Sequence, residues 1–262
     1  MNDQTQDDRA FARSTAPVLI LVALLAAIHL VRQALDPATD FRLLADLAFV
    51  PANVTFAFDR TGVLEAASAA ITGGAMERDE LAIFVGGGLR WWTPFTYAFL
   101  HGSFAHIALN AVWLLAFGSA VCRRFGGLRF NLLLAVAAIF GALAHYLAHP
   151  FGLAPVIGAS AGISGAMGAA VRFAFAPGAP LGAGFARSRD LLAYRMPAPP
   201  LRAVLAERRA ITFIAIWFVT NLAFGVYAPL SGGAPIAWEA HIGCFVAGFL
   251  LFSLFDPPAA LQ

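Results

Sequence analysis

The sequence predicts an all-α membrane protein, a bundle of six transmembrane helices. The chain has 262 residues, is 60% hydrophobic with a mean hydropathy of +0.75, and only 12% of its residues are charged. A soluble domain carries about 25% charged residues. Apolar runs approach the length of about 20 residues that crosses a hydrocarbon core of about 30 Å. Six such runs cover residues 16–34, 103–121, 129–148, 158–176, 210–229 and 238–255.

The distribution of charge predicts the orientation of these spans. All 17 basic residues are arginines, and they concentrate before the first span, between the second and third, and between the fourth and fifth. The intervening segment 35–102 carries eight acidic residues and four arginines. Because basic residues favour the cytoplasmic side, both termini are expected in the cytoplasm. The first run has no clear cleavage site after a short apolar core, so we expect it to be retained as a span.

One membrane domain is expected to cover residues 15–256, with an outer loop at 35–102 and a cytoplasmic loop at 177–209. Residues 1–14 and 257–262 are expected to be cytoplasmic tails. Short apolar pieces of the outer loop are expected to lie at the interface, since they are too short to span. Cys122 and Cys244 are predicted at opposite membrane depths, which argues against a disulfide between them. No basic-aromatic patch indicates a nucleic-acid partner.

Few strongly polar residues interrupt the spans, and such residues are costly in a bilayer unless they face an interior or a water-filled cavity. The predicted topology places His106 and Asn110 in the outer half of the second span, on one helix face. Ser160 lies at the outer end of the fourth span, and His241 lies in the first turns of the sixth. Side chains from three helices are therefore expected at a similar depth.

These residue types are those that acyl transfer requires: a nucleophile, a base and hydrogen-bond donors for an oxyanion. Each residue alone also has a structural interpretation. Small residues around Ser160 are typical of packing between membrane helices, and His106 with Asn110 can bond to a neighbouring helix. The shared depth favours chemistry for Ser160, His106, Asn110 and His241. Packing positions are predicted at Gly162, Gly165, Gly168, Cys244 and Gly248.

Other intramembrane chemistries fit less well. His145 and His149 are four residues apart, but no acidic third ligand is near them in the sequence and there is no H-E-x-x-H motif. They are expected to be interfacial or structural, and no metal or cofactor is predicted. A transporter would favour broken helices and a repeat, which the sequence does not show. Asn221, in the middle of the fifth span, is interpreted as structural.

The stretches FLHGSFAHIALNAVWLLAFG, GASAGISGAMGA and AHIGCFVAG occur in order on the second, fourth and sixth spans. Together they resemble the rhomboid family of intramembrane serine proteases over most of residues 90–255. The resemblance implies a six-helix core and a Ser–His dyad without a third acid. It assigns His241 as the base, and it assigns His106 and Asn110 as oxyanion donors beside the N–H of the serine. It also implies a substrate gate at the outer end of the fifth span and the loop near 229–237.

The resemblance leaves a choice between two serines. The motif G-x-S-G at Gly162–Gly165 points to Ser164, whereas alignment without a gap assigns Ser160 as the nucleophile. We predict Ser160, and Ser164 remains the alternative. The chain departs from the family pattern at three positions: Ala161 follows the serine in place of glycine, Thr93 follows Trp92 in place of arginine, and Cys122 stands where glutamate is common.

The predicted function is that of an intramembrane serine endopeptidase that cleaves membrane-anchored proteins near the outer face of the bilayer. Its expected partners are single-pass or multi-pass membrane proteins and the lipid bilayer. The absence of lysine and the abundance of alanine and arginine favour a bacterial inner membrane. Two alternatives remain: a catalytically silent rhomboid-like protein that binds membrane clients, and a small-solute transporter.

Overall fold

The computed structural model describes residues 3–74, 77–78, 83, 85, 88–176, 179–180, 191–230 and 236–257, and over these residues the chain is all-α, as predicted. Within them the only β contact is an isolated antiparallel bridge between Phe49 and Val156. The helices are α1 (Asp3–Gln33), α2 (Pro37–Leu47), α3 (Pro51–Thr55), α4 (Arg60–Thr72), α5 (Thr93–Thr96), α6 (Phe104–Phe125), α7 (Gly127–Ala148), α8 (Ser160–Val171), α9 (Leu192–Arg195), α10 (Leu201–Ala206), α11 (Arg208–Leu230) and α12 (Trp238–Phe255). A π-helical turn at Leu114–Gly118 interrupts α6, and a 3₁₀ turn at Tyr97–Phe99 follows α5.

Five of the described helices are long and apolar enough to cross a membrane: α6, α7, α12, and the Ser14–Gln33 and Arg208–Tyr227 parts of α1 and α11. The fourth predicted span, 158–176, is wrong in length, because α8 has only 12 residues. At 1.5 Å per residue α8 is about 18 Å long, well short of a core of about 30 Å. The chain reaches α8 through a non-helical segment and leaves it through turns after Val171. One end of α8 therefore lies inside the bundle, away from both surfaces.

Helix α8 forms the centre of the bundle and packs mainly against α7 and α12. Eleven of its twelve residues are buried. The helices approach so closely that a Cβ on Gly248 would overlap the carbonyl oxygen of Gly165, and a Cβ on Gly168 would overlap that of Phe245. The close-packing role predicted for these glycines is therefore confirmed. Small residues allow this approach, and van der Waals contact is the main attraction between helices in lipid.

A buried arginine joins the second and last spans at the end opposite Ser160. Arg124, whose side chain is 1% exposed, binds both carboxylate oxygens of Asp256 at 2.6 and 2.8 Å. Its Nη1 also donates to the carbonyl oxygens of Tyr194 and Met196. The adjacent Arg123 donates to Thr15 at the start of the first span. The first and last spans thus have their terminal ends at the same end of the bundle, and the compartment they face stays a prediction.

Segment 35–102, the predicted outer loop, supports the loop that leads into α8. Part of it forms a small core of its own around Val50, Val63 and Val85. Phe49 and Val156 exchange backbone hydrogen bonds of 3.1 and 2.8 Å, and the N–H of Gly158 donates to the carbonyl oxygen of Tyr97 at 3.0 Å. These bonds hold the non-helical chain just before Ser160. Residues 75–76, 79–82, 84 and 86–87 of the outer loop lie outside the described residues, as do 177–178, 181–190, 231–235 and 258–262.

Candidate active site

Ser160 and His241 are in direct contact, although they are 81 residues apart in the chain. The Oγ of Ser160 lies 2.8 Å from the Nε2 of His241. Ser160 is the first residue of α8, and His241 lies in the first turn of α12. Because α8 packs against α7 and α12 at the centre of the bundle, the pair lies between packed helices. The first N–H groups of a helix have no acceptor within it, so backbone donors point past this end of α8.

Asn221 orients the imidazole from its other side. Its Oδ1 lies 2.7 Å from the Nδ1 of His241, and its Nδ2 donates to the carbonyl oxygen of Trp217 at 2.9 Å. Since the amide N–H₂ is used on Trp217, Oδ1 must accept, and Nδ1 must carry the proton. The Nε2 of His241 is then the acceptor for the Ser160 hydroxyl. The sequence interpretation of Asn221 as structural missed this contact.

Ser164, the alternative nucleophile, has a different partner. It is buried, and its Oγ donates to the carbonyl oxygen of Ser160 at 2.8 Å. Such a bond to the preceding helical turn is a common local use of serine inside a helix. Of the two serines, Ser160 is therefore the one whose hydroxyl contacts an imidazole.

His106 and Asn110, the predicted oxyanion donors, come from α6. A Cβ built on Gly158 would lie 3.0 Å from the Nε2 of His106 and 3.5 Å from the Oγ of Ser160, so the space above Gly158 borders both side chains. Gly158 has φ +124°, a conformation that residues with a Cβ rarely adopt. Asn110 is 3% exposed, and its Nδ2 has no hydrogen-bond partner among the described residues. A buried, unpaired donor is costly, so this amide is free to bond to water or to a ligand. The catalytic roles of both residues stay predictions.

His101 contributes a further contact at the start of α8. It is 1% exposed, and its Nε2 accepts a hydrogen bond of 3.4 Å from the backbone N–H of Ala159. Burial, followed by the nearby His106, lowers the pKa of His101 to about 4. The imidazole is therefore neutral near pH 7 and able to act as an acceptor. A backbone hydrogen bond with Phe99 raises this pKa in part, while His29 and Arg32 lower it further.

The structure brings an acidic residue to His145 and His149, contrary to the sequence analysis. Glu239, from the first turn of α12, lies 3.4 Å from His145 Nδ1 and 2.8 Å from His149 Nε2. The expectation that no acidic third ligand lies near this pair was wrong, because that ligand comes from a helix about 90 residues further along the chain. The cysteines follow the prediction: both are buried and free, and Cys244 donates to the carbonyl oxygen of Ala137.

The fold and the site together define a helical membrane protein with a serine–histidine pair inside its bundle. The chain belongs to the rhomboid family, since the Rhomboid domain matches residues 88–256. It is similar to the rhomboid protease GluP of Bacillus subtilis (strain 168), with 32% identity over 170 residues, which cover 65% of this chain and 27% of that protein. It is also similar to the rhomboid protease GlpG of Enterobacter sp. (strain 638), with 28% identity over 160 residues, 61% of this chain and 47% of that protein. The chain thus spans less than half the length of each of these relatives.

Proposed function

We propose that this protein is an intramembrane serine endopeptidase, with Ser160 as nucleophile and His241 as general base. The observation that carries the proposal is the chain of contacts from Ser160 Oγ to His241 Nε2 at 2.8 Å and from His241 Nδ1 to Asn221 Oδ1 at 2.7 Å. A nucleophile, a base within hydrogen-bond reach and a third group that orients the base form the arrangement expected of covalent acyl transfer. Membership of a family whose relatives are named rhomboid proteases supports the same reaction.

In the first half of the reaction, His241 Nε2 takes the proton of the Ser160 hydroxyl while Oγ attacks the carbonyl carbon of the scissile peptide bond. The carbonyl oxygen becomes an oxyanion. The donors proposed for it are His106, whose Nε2 borders the space above Gly158, the backbone N–H of Ser160 at the start of α8, and Asn110, one turn after His106 on α6. His241 then gives its proton to the leaving nitrogen as the C–N bond breaks, which leaves an acyl ester on Ser160.

In the second half, a water molecule gives a proton to His241, and its oxygen attacks the ester. The C–O bond to Ser160 breaks, Ser160 recovers the proton from His241, and the carboxylic product is released. Water must therefore reach a pair that lies inside the bundle. The short α8 supports such access, because the chain before it runs as a loop from the surface to Ser160.

Substrates are proposed to be membrane-anchored proteins whose helix unwinds locally near the outer face, and to enter beside α11. This helix is peripheral, since only 6% of the residues in its most apolar stretch are buried. It contacts α12 through the stacked rings of Trp217 and Phe245, whose centroids are 4.4 Å apart, and through Asn221 on His241. A movement of α11 would therefore open a path directly to the catalytic pair. The loop predicted to complete this gate lies largely outside the described residues.

We also propose a bacterial inner-membrane location with both termini in the cytoplasm. The terminal ends of the first and last spans share one end of the bundle with the basic segment 122–129. The positive-inside rule assigns that end to the cytoplasm. The catalytic pair then faces the outer side.

The direct test is cleavage of a model transmembrane substrate by the purified protein in detergent. We expect wild type and Ser164→Ala to cut, and Ser160→Ala and His241→Ala to be inactive. A fluorophosphonate probe that forms a covalent bond with an activated serine gives a second readout and should label wild type but not Ser160→Ala. Cleavage by Ser160→Ala but not by Ser164→Ala would reverse the choice of serine. Absence of both cleavage and labelling in the wild type would favour the silent, client-binding alternative.

A further inference from the structure

We infer that His145, His149 and Glu239 form a binding site for a divalent transition-metal ion of the zinc type, separate from the serine–histidine pair. His145 and His149 are one turn apart on α7 and therefore share a face. Glu239 faces them from α12, with each carboxylate oxygen directed at a different imidazole. One ligand atom from each of the three residues lies within 4.8 Å of the other two.

The distances are close to those that a zinc ion imposes. Zinc binds histidine nitrogen and carboxylate oxygen at about 2.0–2.2 Å in tetrahedral geometry, which places neighbouring ligand atoms about 3.3–3.6 Å apart. The distance of 3.4 Å from Glu239 Oε2 to His145 Nδ1 lies within this range, and the distance of 2.8 Å from Glu239 Oε1 to His149 Nε2 lies below it. The ligand atoms of the two imidazoles lie within 4.8 Å of each other, and a bound ion would draw them toward the same spacing.

The donor set selects the class of ion. Two imidazoles and one carboxylate suit zinc and its transition-metal neighbours, whereas calcium and magnesium prefer oxygen ligands alone. Three protein ligands leave a fourth tetrahedral position for water. Among the described residues, no other group of three histidine, cysteine, aspartate or glutamate side chains has this spacing.

The site is accessible to an ion and yet held on rigid elements. The side chain of His149 is 50% exposed, whereas those of His145 and Glu239 are 14% and 15% exposed. An ion can thus enter past His149 and reach two ligands that are already largely removed from water. Close packing of α7 against α12 fixes their spacing, since a Cβ on Gly243 would overlap that of Ala144.

A bound ion would tie the outer ends of α7 and α12 together beside the proposed catalytic base. Glu239 precedes His241 by two residues on the first turn of α12. The ion would therefore restrain the turn that carries the imidazole, and it would stabilise the folded protein by binding to it preferentially. Binding of the ion does not require protease activity.

The protein is purified in detergent without a polyhistidine tag and treated with a chelator to remove bound metal. It is then titrated with Zn²⁺, and binding is measured by calorimetry. We expect one ion per chain and a rise in the thermal unfolding midpoint. Because even changes in outer-shell partners cost about 10–100-fold in metal affinity, His149→Ala and Glu239→Gln should each weaken binding at least about tenfold. Co²⁺ in place of Zn²⁺ should give the strong visible absorption of a tetrahedral ion in the wild type only.

The matched control is His106→Ala, which removes a histidine from the proposed active site and should leave Zn²⁺ binding unchanged. Equal binding by wild type, His149→Ala and Glu239→Gln would overturn the inference. So would loss of binding in His106→Ala, which would locate the ion at the active-site histidines. Absence of saturable binding in the wild type would show that the three residues form an ion pair alone.

Discussion

Asn221 offers the sharpest test of how the proposed base is prepared. Asn221→Leu keeps a side chain of similar size but removes the oxygen that lies 2.7 Å from His241 Nδ1. During attack His241 becomes an imidazolium, and its Nδ1–H bond to Asn221 is then a hydrogen bond to a charged group. Such bonds contribute about 1.5–3 kcal/mol. At about 1.36 kcal/mol per factor of ten, kcat should fall roughly 10- to 150-fold.

The assay is steady-state cleavage of a model transmembrane substrate in detergent, with kcat and KM measured separately. Asn221 acts through His241 as a positioning residue, so kcat should fall while KM changes little. Asn221→Asp keeps an acceptor oxygen and should recover part of the lost rate. The matched control is Asn131→Leu on α7, because Asn131 Nδ2 also donates to a carbonyl one turn earlier, at 2.9 Å, the same distance as for Asn221.

Two results would refute this reasoning. The first is an Asn221→Leu variant that unfolds at the wild-type temperature and cuts within about threefold of the wild-type rate. That fall in rate is smaller than the fall expected from the loss of one hydrogen bond to a charged group. The second is an equal loss of rate in Asn131→Leu, which would show that the effect comes from the helix and not from the imidazole.

Three further predictions concern the surroundings of the site. Gly158→Ala should abolish most activity, because its φ is +124° and a Cβ would crowd His106. Gly102→Ala should cut normally in the same assay, because a Cβ there would make only an ordinary van der Waals contact of 3.8 Å with Ile157. Arg124→Gln should lower the free energy of unfolding by about 3–5 kcal/mol, since it leaves the carboxylate of Asp256 without its buried partner; an unchanged denaturation midpoint would contradict this. The pKa of His101 is lowered to about 4 in the folded protein, so as the pH falls from about 6.5 the imidazole binds a proton first in the unfolded chain. The free energy of unfolding should therefore drop between about pH 6.5 and 4. Thermal melts at a series of pH values should show a smaller drop for His101→Gln.

Composition and hydropathy predicted the fold class because a bilayer allows few solutions. An apolar chain must satisfy its backbone polar groups internally, and helices do so within one segment. The same reasoning gave five of the six spans. It failed for the fourth, since hydropathy cannot distinguish a spanning helix from a short buried helix with an apolar loop before it. The contacts of Val156 and Gly158 with the outer segment, which hold that loop, are long-range and leave no local pattern.

The polar residues show a similar division. Ser160, His106, Asn110 and His241 could be selected from the sequence because polar side chains at matching depths in apolar spans are costly and therefore informative. Asn221 was also visible in the sequence as a strongly polar residue in the middle of a span. Only the rotation of α11 about its axis decided that its amide meets His241. In the same way, His145 and His149 were visible as a pair, whereas Glu239 reaches them only because α7 and α12 pack side by side. The position of a residue along its apolar span determines how deep it lies in the membrane. The partners of its side chain depend on the rotation of the helix about its axis, which close packing at small residues sets only in the folded bundle.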